Sequence, residues 1–458
     1  MSDQVALCVD IGSTYTKAAA VDLATGALLG SADHPTTIDT DVMVGFAAVR
    51  DELAVDEPLV LACSSAGGGL RLAVVGYERE ISAEAGHRAG LSAGARVVHV
   101  SAGRLDSAGT AALRAAAPDV LLLVGGTDGG ESAVLLHNAA VLATAQIGVP
   151  IVVAGNAIVR QEVCAILEAH GATVVPTDNV LPDIGELDPE PARAAIRSVF
   201  LDHVIGGKNL SVDPGFAGLV RAVTPDAVLD GVSVLAEQIR SGPSGIAAGT
   251  RPGGSVVVVD VGGATTDVYC VLSPDAEQTN LRREAVGVPS HRRTVEGDLG
   301  LRWSAHALLA AAADERLLAD SKRQSLSAWV EARQEVSAPP ERAEDATVEL
   351  RMTALAVMLA LRRHVRAEAA YGVRGTAGAS ARSASTVILS GGSIRYASPA
   401  QRAELVAAVL DDRGGARGVL LDAEVRCDSR YVLAAAGLLA KDHPTAARGL
   451  VRAGGLVD

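Results

Sequence analysis

Apolar residues along this chain fall into short uninterrupted runs, among them VALCV, PLVLAC, DVLLLV, PIVV, SVVVV and TVIL, each bounded by polar, glycine or hydroxyl residues. Runs of that length, rich in β-branched residues and closed by turn formers, predict buried strands. The first stretch reads as VALCVD, the turn IGSTYT, then KAAAVDL and GALLGSAD, followed by an amphipathic helix around Val42 to Leu53 and the strand PLVLACSS. From about Arg71 to His203 the rhythm changes. Strands VVHVSA, DVLLLVGG, PIVVAGN and ATVVPT alternate with helical stretches such as SAVLLHNAAVLATAQI, which predicts parallel βα units. Glycine and proline cluster over residues 206–218, at SGPSG (Ser241 to Gly245) and at TRPGG (Thr250 to Gly254), so the boundary between the main halves is expected near residues 240–254. The second half reopens with SVVVVDVGGATTDVYCVL, runs through long Ala/Leu/Arg-rich helices from about Leu301 to Tyr371, and closes with STVILSGGSIR and YVLAAAGLLAK. The charges from Arg351 to Arg366 are expected on a solvated helix face, and Trp303 and Trp329 as packing residues.

Laying CVDIGSTYTKAAAVDL over VVDVGGATTDVYCVL shows one arrangement used twice. Asp10 matches Asp260, Gly12 matches Gly262, Thr16 matches Thr266 and Lys17 takes the slot of Asp267, at a constant offset of 250 residues. Such an offset means two lobes and not a solenoid. In each copy two apolar strands flank a tight turn whose glycines (Gly12; Gly262 and Gly263) allow close backbone approach to a ligand. The turn amides and the hydroxyls of Ser13, Thr14, Thr16, Thr265 and Thr266 offer donors to phosphate oxygens. Asp10 and Asp260 would repel a polyphosphate unless a Mg²⁺ ion lay between, which makes both candidate metal ligands. Lys17 is then a phosphate contact, and Asp267 a group orienting an attacking water or a metal ligand. A third glycine-rich turn, Gly391-Gly392-Ser393 after the strand VILS, is a candidate seat for adenine and ribose. Neither GxxxxGK[ST] nor a strand followed by GxGxxG is present, which disfavours the other common nucleotide sites. Glu296 and Asp298 can be read either as approaching the ribose or as an acidic first turn of a helix.

Composition narrows the picture. At 458 residues the chain has room for two or three domains, and with 2% aromatic against 49% hydrophobic residues its core must be aliphatic. No apolar run reaches the roughly 18 residues of a membrane span. The N-terminus has no signal-peptide pattern, so a cytoplasmic protein with no membrane association is expected. Five scattered cysteines without a CxxC pair speak against a disulfide framework or a structural zinc site and argue for core thiols. A net charge of -14 speaks against nucleic acid or anionic lipid as a partner.

The order of these motifs resembles the actin, Hsp70 and sugar-kinase superfamily, with DIGSTYTK as first phosphate loop, DVGGATTD as second and LSGGS as adenosine motif. More narrowly, VDIGSTYTKAAAVDL, LLLVGGTDGG, VVDVGGATTDVY and TVEGDLGLRWS resemble the glutamate mutase accessory (MutL) proteins, which share only a name with the mismatch-repair protein. The resemblance implies an α/β fold of two ribonuclease-H-like lobes. The first is expected over residues 1–245, with a βα insertion at about 71–205, and the second over 246–458, with a helical insertion at about 301–371. It implies ATP/ADP and Mg²⁺ as cofactors, with Asp10, Asp260 and Asp267 around the metal and phosphates and Gly391 and Gly392 lining the adenosine. It also implies slow ATP hydrolysis in the service of reactivating an adenosylcobalamin-dependent mutase, the expected partner. Two alternatives use the same cleft: a small-molecule kinase, for which no general base is identifiable, and an actin-like structural protein. Ala264 departs from many relatives, which carry glycine or a hydroxyl residue there. The inserted βα segment is reminiscent of the flavodoxin-like order of a cobalamin-binding domain, yet it lacks DxHxxG, so cobalamin binding through a histidine is not expected.

Overall fold

The computed structural model describes residues 5–66, 70–78, 83, 85, 86, 89, 90, 95–184, 186–200, 210–213, 215–241, 255–272, 291–333, 342–370, 380–412, 419–421 and 423–457. Most of the expected boundary at 240–254 lies outside them, as does His203. Two compact units emerge: one formed by Met1–Ala66, Ser211–Ala276 and Arg293–Asp458, the other by Gly67–Leu210 and Glu277–Arg292.

The chain opens with β1 (Val5–Ile11), β2 (Tyr15–Asp22) and β3 (Leu28–Pro35), then α1 (Val42–Leu53) and β4 (Leu59–Ser64). Helix α1 starts where Asp41 accepts a hydrogen bond from the Met43 N–H, satisfying one of the amides a helix start leaves unpaired. The second unit follows, with β5 (Arg71–Gly76), β6 (Arg96–Ala102), α2 (Ser107–Ala115), β7 (Val120–Leu123), α3 (Ala133–Ala145), β8 (Ile151–Val153), α4 (Arg160–Glu168), β9 (Val174–Pro176) and α5 (Glu190–Val199). Its strands all pair in parallel, in the order β6-β5-β7-β8-β9. That is the flavodoxin-like order, and VLLL of β7 is fully buried, as a strand covered on both faces must be.

The first unit resumes with α6 (Phe216–Leu219), β10 (Val220–Val223) and α7 (Thr224–Ser241), then β11 (Val256–Val261), β12 (Thr266–Val271) and β13 (His291–Glu296). Helices α8 (Ala305–Asp314), α9 (Asp320–Glu331) and α10 (Ala343–Ala370) precede β14 (Thr386–Gly391), α11 (Gly392–Tyr396), α12 (Pro399–Asp411), β15 (Glu424–Cys427), α13 (Leu433–Ala440) and α14 (Pro444–Ala453). Two five-stranded sheets result, β3-β2-β1-β4-β10 and β13-β12-β11-β14-β15. In both, the first strand of the hairpin (β1, β11) pairs antiparallel with the second and parallel with the strand on its other side. The fold is therefore α/β, with a ribonuclease-H-like sheet built twice.

One aliphatic core joins the two sheets, drawing Ala6 and Leu61 from the first, Val258 and Ile388 from the second, and Leu229, Val232, Leu235 and Leu439 from α7 and α13. The two helices cross backbone to backbone. A Cβ on Gly437 would stand 1.7 Å from the Ala227 carbonyl oxygen, and one on Gly231 2.0 Å from that of Leu433, so only glycine permits the contact.

Candidate functional site

Both hairpin turns close in the same way. The Gly12 N–H donates to the Tyr15 carbonyl at 3.0 Å, and the Gly262 N–H to that of Thr265 at 2.9 Å. Register matches as well: Asp10 lies opposite Lys17 and Ile11 opposite Thr16, just as Asp260 lies opposite Asp267 and Val261 opposite Thr266. The two turns meet. A Cβ on Gly263 would stand 2.9 Å from Thr14 Oγ1, so the Thr14 side chain lies against the opposite turn. That hydroxyl is buried and has no hydrogen-bond partner among the described residues.

Behind the turns the two carboxylates share one hydroxyl. Tyr431 Oη stands 3.3 Å from Asp10 Oδ2 and 3.4 Å from Asp260 Oδ2. Its single proton can serve only one of them at a time. Tyr431 is set by a buried carboxylate, since Asp428, at the end of β15, accepts from the backbone N–H groups of residues 430–433. Its own φ of 54° is in the left-handed region. Lys17 Nζ lies 3.6 Å above the Tyr431 ring centre and 3.8 Å from Asp10 Oδ2. Asp10 also accepts from Thr224 Oγ1 at 2.5 Å, at the start of α7, and from the Cys63 thiol at 3.6 Å.

Asp260 is served more sparsely. Burial pushes its carboxyl up to about 6, with Asp267 and Asp10 acting in the same direction against Lys17 and the Ser390 hydroxyl. Asp267 is tied to Arg293 of β13 at 2.9 Å, a guanidinium that is itself buried. The pair stands behind the second turn where Lys17 stands behind the first.

The remaining candidates divide by strand periodicity. Thr16 and Thr266 are fully buried; Thr16 Oγ1 meets Thr36 Oγ1 at 3.2 Å, and Thr266 Oγ1 donates to the Leu299 carbonyl at 2.7 Å. Their hydroxyls are engaged inside the fold. Ser13 and Gly262 are exposed, and Thr265 is half-buried with its hydroxyl 3.4 Å from Asp267. On the neighbouring strand, Ser390 lies opposite Asp260 and Gly391 opposite Val261. Gly391 has φ 134° and a Cβ there would stand 2.4 Å from the Val261 carbonyl, whereas Gly392 faces open space. Ser393 Oγ bonds Thr353 Oγ1 of α10 at 2.8 Å.

TVEGDLGLRWS braces the second turn. Backbone N–H groups of Leu301 and Arg302 donate to the carbonyls of Gly262 and Gly263, and Ser304 Oγ donates to that of Ala264. Glu296 and Asp298 both pair with Arg363. Trp303, expected to pack, is 68% exposed, because its segment caps the turn before α8 begins instead of lying on a helix face. Arg362, Arg363 and Arg366, expected in solvent, form ion pairs with Asp412, Glu315, Glu296 and Asp298. Sequence reading missed Thr224, Cys63, Arg293 and Tyr431 as site residues, and took Ser390 only as part of the LSGGS motif. Only Thr224-Pro225-Asp226, a helix-start pattern, carried any signal.

A family profile described as "MutL protein" matches residues 6–454. The chain belongs to the MutL protein family. This is the family of glutamate mutase accessory proteins that its motifs resemble. The MutL protein of Clostridium tetanomorphum is 35% identical over 454 residues, covering 96% of each chain. Among solved structures, the activator of 2-hydroxyisocaproyl-CoA dehydratase from Clostridium difficile, with bound ADPNP, aligns at TM-score 0.31 and 8% identity over 97% of this chain and 96% of its own. Xylulose kinase from Bifidobacterium adolescentis aligns at TM-score 0.32 and 11% identity over 99% and 94%. No helix among the described residues is long and apolar enough to cross a membrane.

Proposed function

We propose that this chain binds ATP with Mg²⁺ between its two hairpin turns, and that the bound nucleotide drives an accessory, reactivating action on an adenosylcobalamin-dependent mutase. One observation carries the reading: two turns of identical register stand against each other, with Asp10 and Asp260 within reach of the same Tyr431 hydroxyl. Nothing in a purely structural hairpin requires a second carboxylate at that point.

The residues present fit the cofactors. Two acids, one of them raised to about 6 by burial, form an environment short of positive charge. The orphaned Thr14 hydroxyl is a donor awaiting an acceptor. Mg²⁺, when bound, would supply neutralisation of the polyphosphate and would be held through Asp10 and Asp260. Lys17, swung from the Tyr431 ring, would meet a phosphate oxygen as a compact cation. Gly391 and Gly392 would pass the backbone close to the adenosine. Asp267, engaged by Arg293, acts in this reading as a fixed negative charge orienting water near the phosphates, with Arg293 holding its geometry. Membership of the accessory family favours a mutase as the partner over a metabolite as phosphoryl acceptor. ATP binding and hydrolysis would then shift the balance of conformations that the partner meets.

Calorimetric titration with ATP and Mg²⁺ tests the nucleotide site. Binding is expected in the parent and at least about tenfold weaker in Asp260→Asn, with unchanged circular dichroism; equal heats in both chains would overturn the assignment. Recovery of activity in an inactivated cobalamin mutase on adding this chain and ATP tests the partner.

A further inference from the structure

The side of the second sheet that packs on α10 carries a cluster that the nucleotide site does not use. Cys270 Sγ of β12, a ring nitrogen of His364 and a Glu368 carboxylate oxygen of α10 all lie within 4.8 Å of one another, and all three residues are buried. We propose that this cluster is a binding site for one zinc ion, held by Cys270, His364 and Glu368.

Donor chemistry selects the metal. A thiolate, an imidazole nitrogen and a carboxylate form a mixed set suited to Zn²⁺ and poor for Mg²⁺ or Ca²⁺, which take oxygen ligands. Spacing agrees. His364 Nε2 and Glu368 Oε1 are 3.2 Å apart, and two ligands at zinc distances across a tetrahedral angle stand about 3.3 Å apart. The i,i+4 step puts both on one face of α10, opposite the cysteine of the strand.

The outer partners are in place too. His364 Nδ1 is 2.9 Å from Thr294 Oγ1, and an Nδ1–H donating to that hydroxyl would hold the ring with Nε2 toward Glu368, where it would serve as a ligand once zinc displaced its proton. Glu368 Oε2 accepts from the Ala381 N–H at 2.9 Å, which fixes the carboxylate plane. Charge closes as well, since a thiolate and a carboxylate together cancel a dication, and a neutral assembly is what a buried position tolerates. The three protein donors leave a fourth position to a water. Such an ion would clamp α10 onto the strand that carries Asp267, three residues before Cys270.

The site is independent of the nucleotide reading and is tested without it. The full-length chain, purified without a polyhistidine tag and exchanged into excess Mg²⁺, is analysed by plasma mass spectrometry, with about one zinc per chain expected. After chelation, titration with Co²⁺ should raise a thiolate-to-metal charge-transfer band in the near ultraviolet. Cys270→Ala should lose both signals, and Thr294→Val, which removes only the outer hydrogen bond, should lower zinc affinity by about tenfold. A folded parent chain that holds no zinc and gives no such band with Co²⁺ overturns the proposal and leaves the cluster a metal-free imidazole, carboxylate and thiol group. Zinc retained in full by Cys270→Ala overturns it equally.

Discussion

The two hairpins share strand order, turn closure and register, yet they surround their carboxylates in opposite ways. Asp10 is surrounded by donors: the Thr224 hydroxyl, the Cys63 thiol, the Lys17 ammonium and the Tyr431 hydroxyl. Asp260 has Tyr431 and Ser390, and where the first copy places Lys17 the second places another acid, Asp267, whose cation stands one strand further on. A repeat thus preserves backbone geometry while its two halves diverge in charge. The first half is neutralised in place. The second keeps at the centre an acid with fewer partners, beside a second acid, which is what a site for a cation needs.

The largest expected effect comes from the acid that only the second copy has. Asp267→Ala leaves the buried Arg293 without the carboxylate it meets at 2.9 Å, and breaking a buried pair from one side costs about 3 kcal/mol or more. The Asp226 carboxylate also favours the charged guanidinium, which keeps the loss toward the lower end. Denaturant unfolding of Asp267→Ala against Lys17→Met measures the contrast. Lys17 is partly exposed, so its removal should cost about 1 kcal/mol or less. Equal losses in the two would mean that the copies carry their charges alike.

A second prediction separates Asp10 from Asp260 by pH. A carboxyl raised to about 6 binds its proton more tightly in the folded chain than in the unfolded one, so the stability it contributes is full below about 4 and is lost as pH rises through 6. In metal-free buffer Asp260→Asn should therefore be more stable than the parent above pH 6, by at most about 3 kcal/mol, and equal to it below about pH 4. Asp10→Asn should lose stability under the same conditions, because it removes the ion pair with Lys17 and weakens the acceptor of the Thr224 hydroxyl. A gain in both variants would erase the distinction between the hairpins.

How much of this was legible beforehand follows from where each residue sits. The hairpins were readable because identical residue types recur at one offset between runs such as VALCV and SVVVV. The inward turn of Thr16 and Thr266 was also readable in principle. Side chains alternate along a strand, so a threonine directly before Lys17 or Asp267 must face the opposite side from it. The partners were not readable. Thr224, Arg293 and Tyr431 come from segments outside the repeat and reach the site only through the crossing of α7 with α13 and the pairing of β13 with β12. The helix-face charges failed for the same reason: Arg362 and Arg363 look solvated along α10 until Asp412 and Asp298 arrive from elsewhere in the chain.

The smallest effect sharpens the comparison most, because it concerns the one group both copies touch. Tyr431→Phe removes a hydroxyl whose contacts, at 3.3 and 3.4 Å, are long for hydrogen bonds, so the loss of stability should be about 1 kcal/mol or less. Its influence on ligands has the opposite sign. In the metal-free chain the phenolic proton relieves the repulsion between Asp10 and Asp260, and a cation entering between them must forgo that relief. Phenylalanine raises the free energy of the empty state without touching the occupied one. Mg²⁺-dependent nucleotide binding should then tighten by up to about fivefold, the equivalent of that 1 kcal/mol. Weaker binding in Tyr431→Phe would instead make the hydroxyl a contact of the occupied state, and the two aspartates would be bridged alike with and without a ligand.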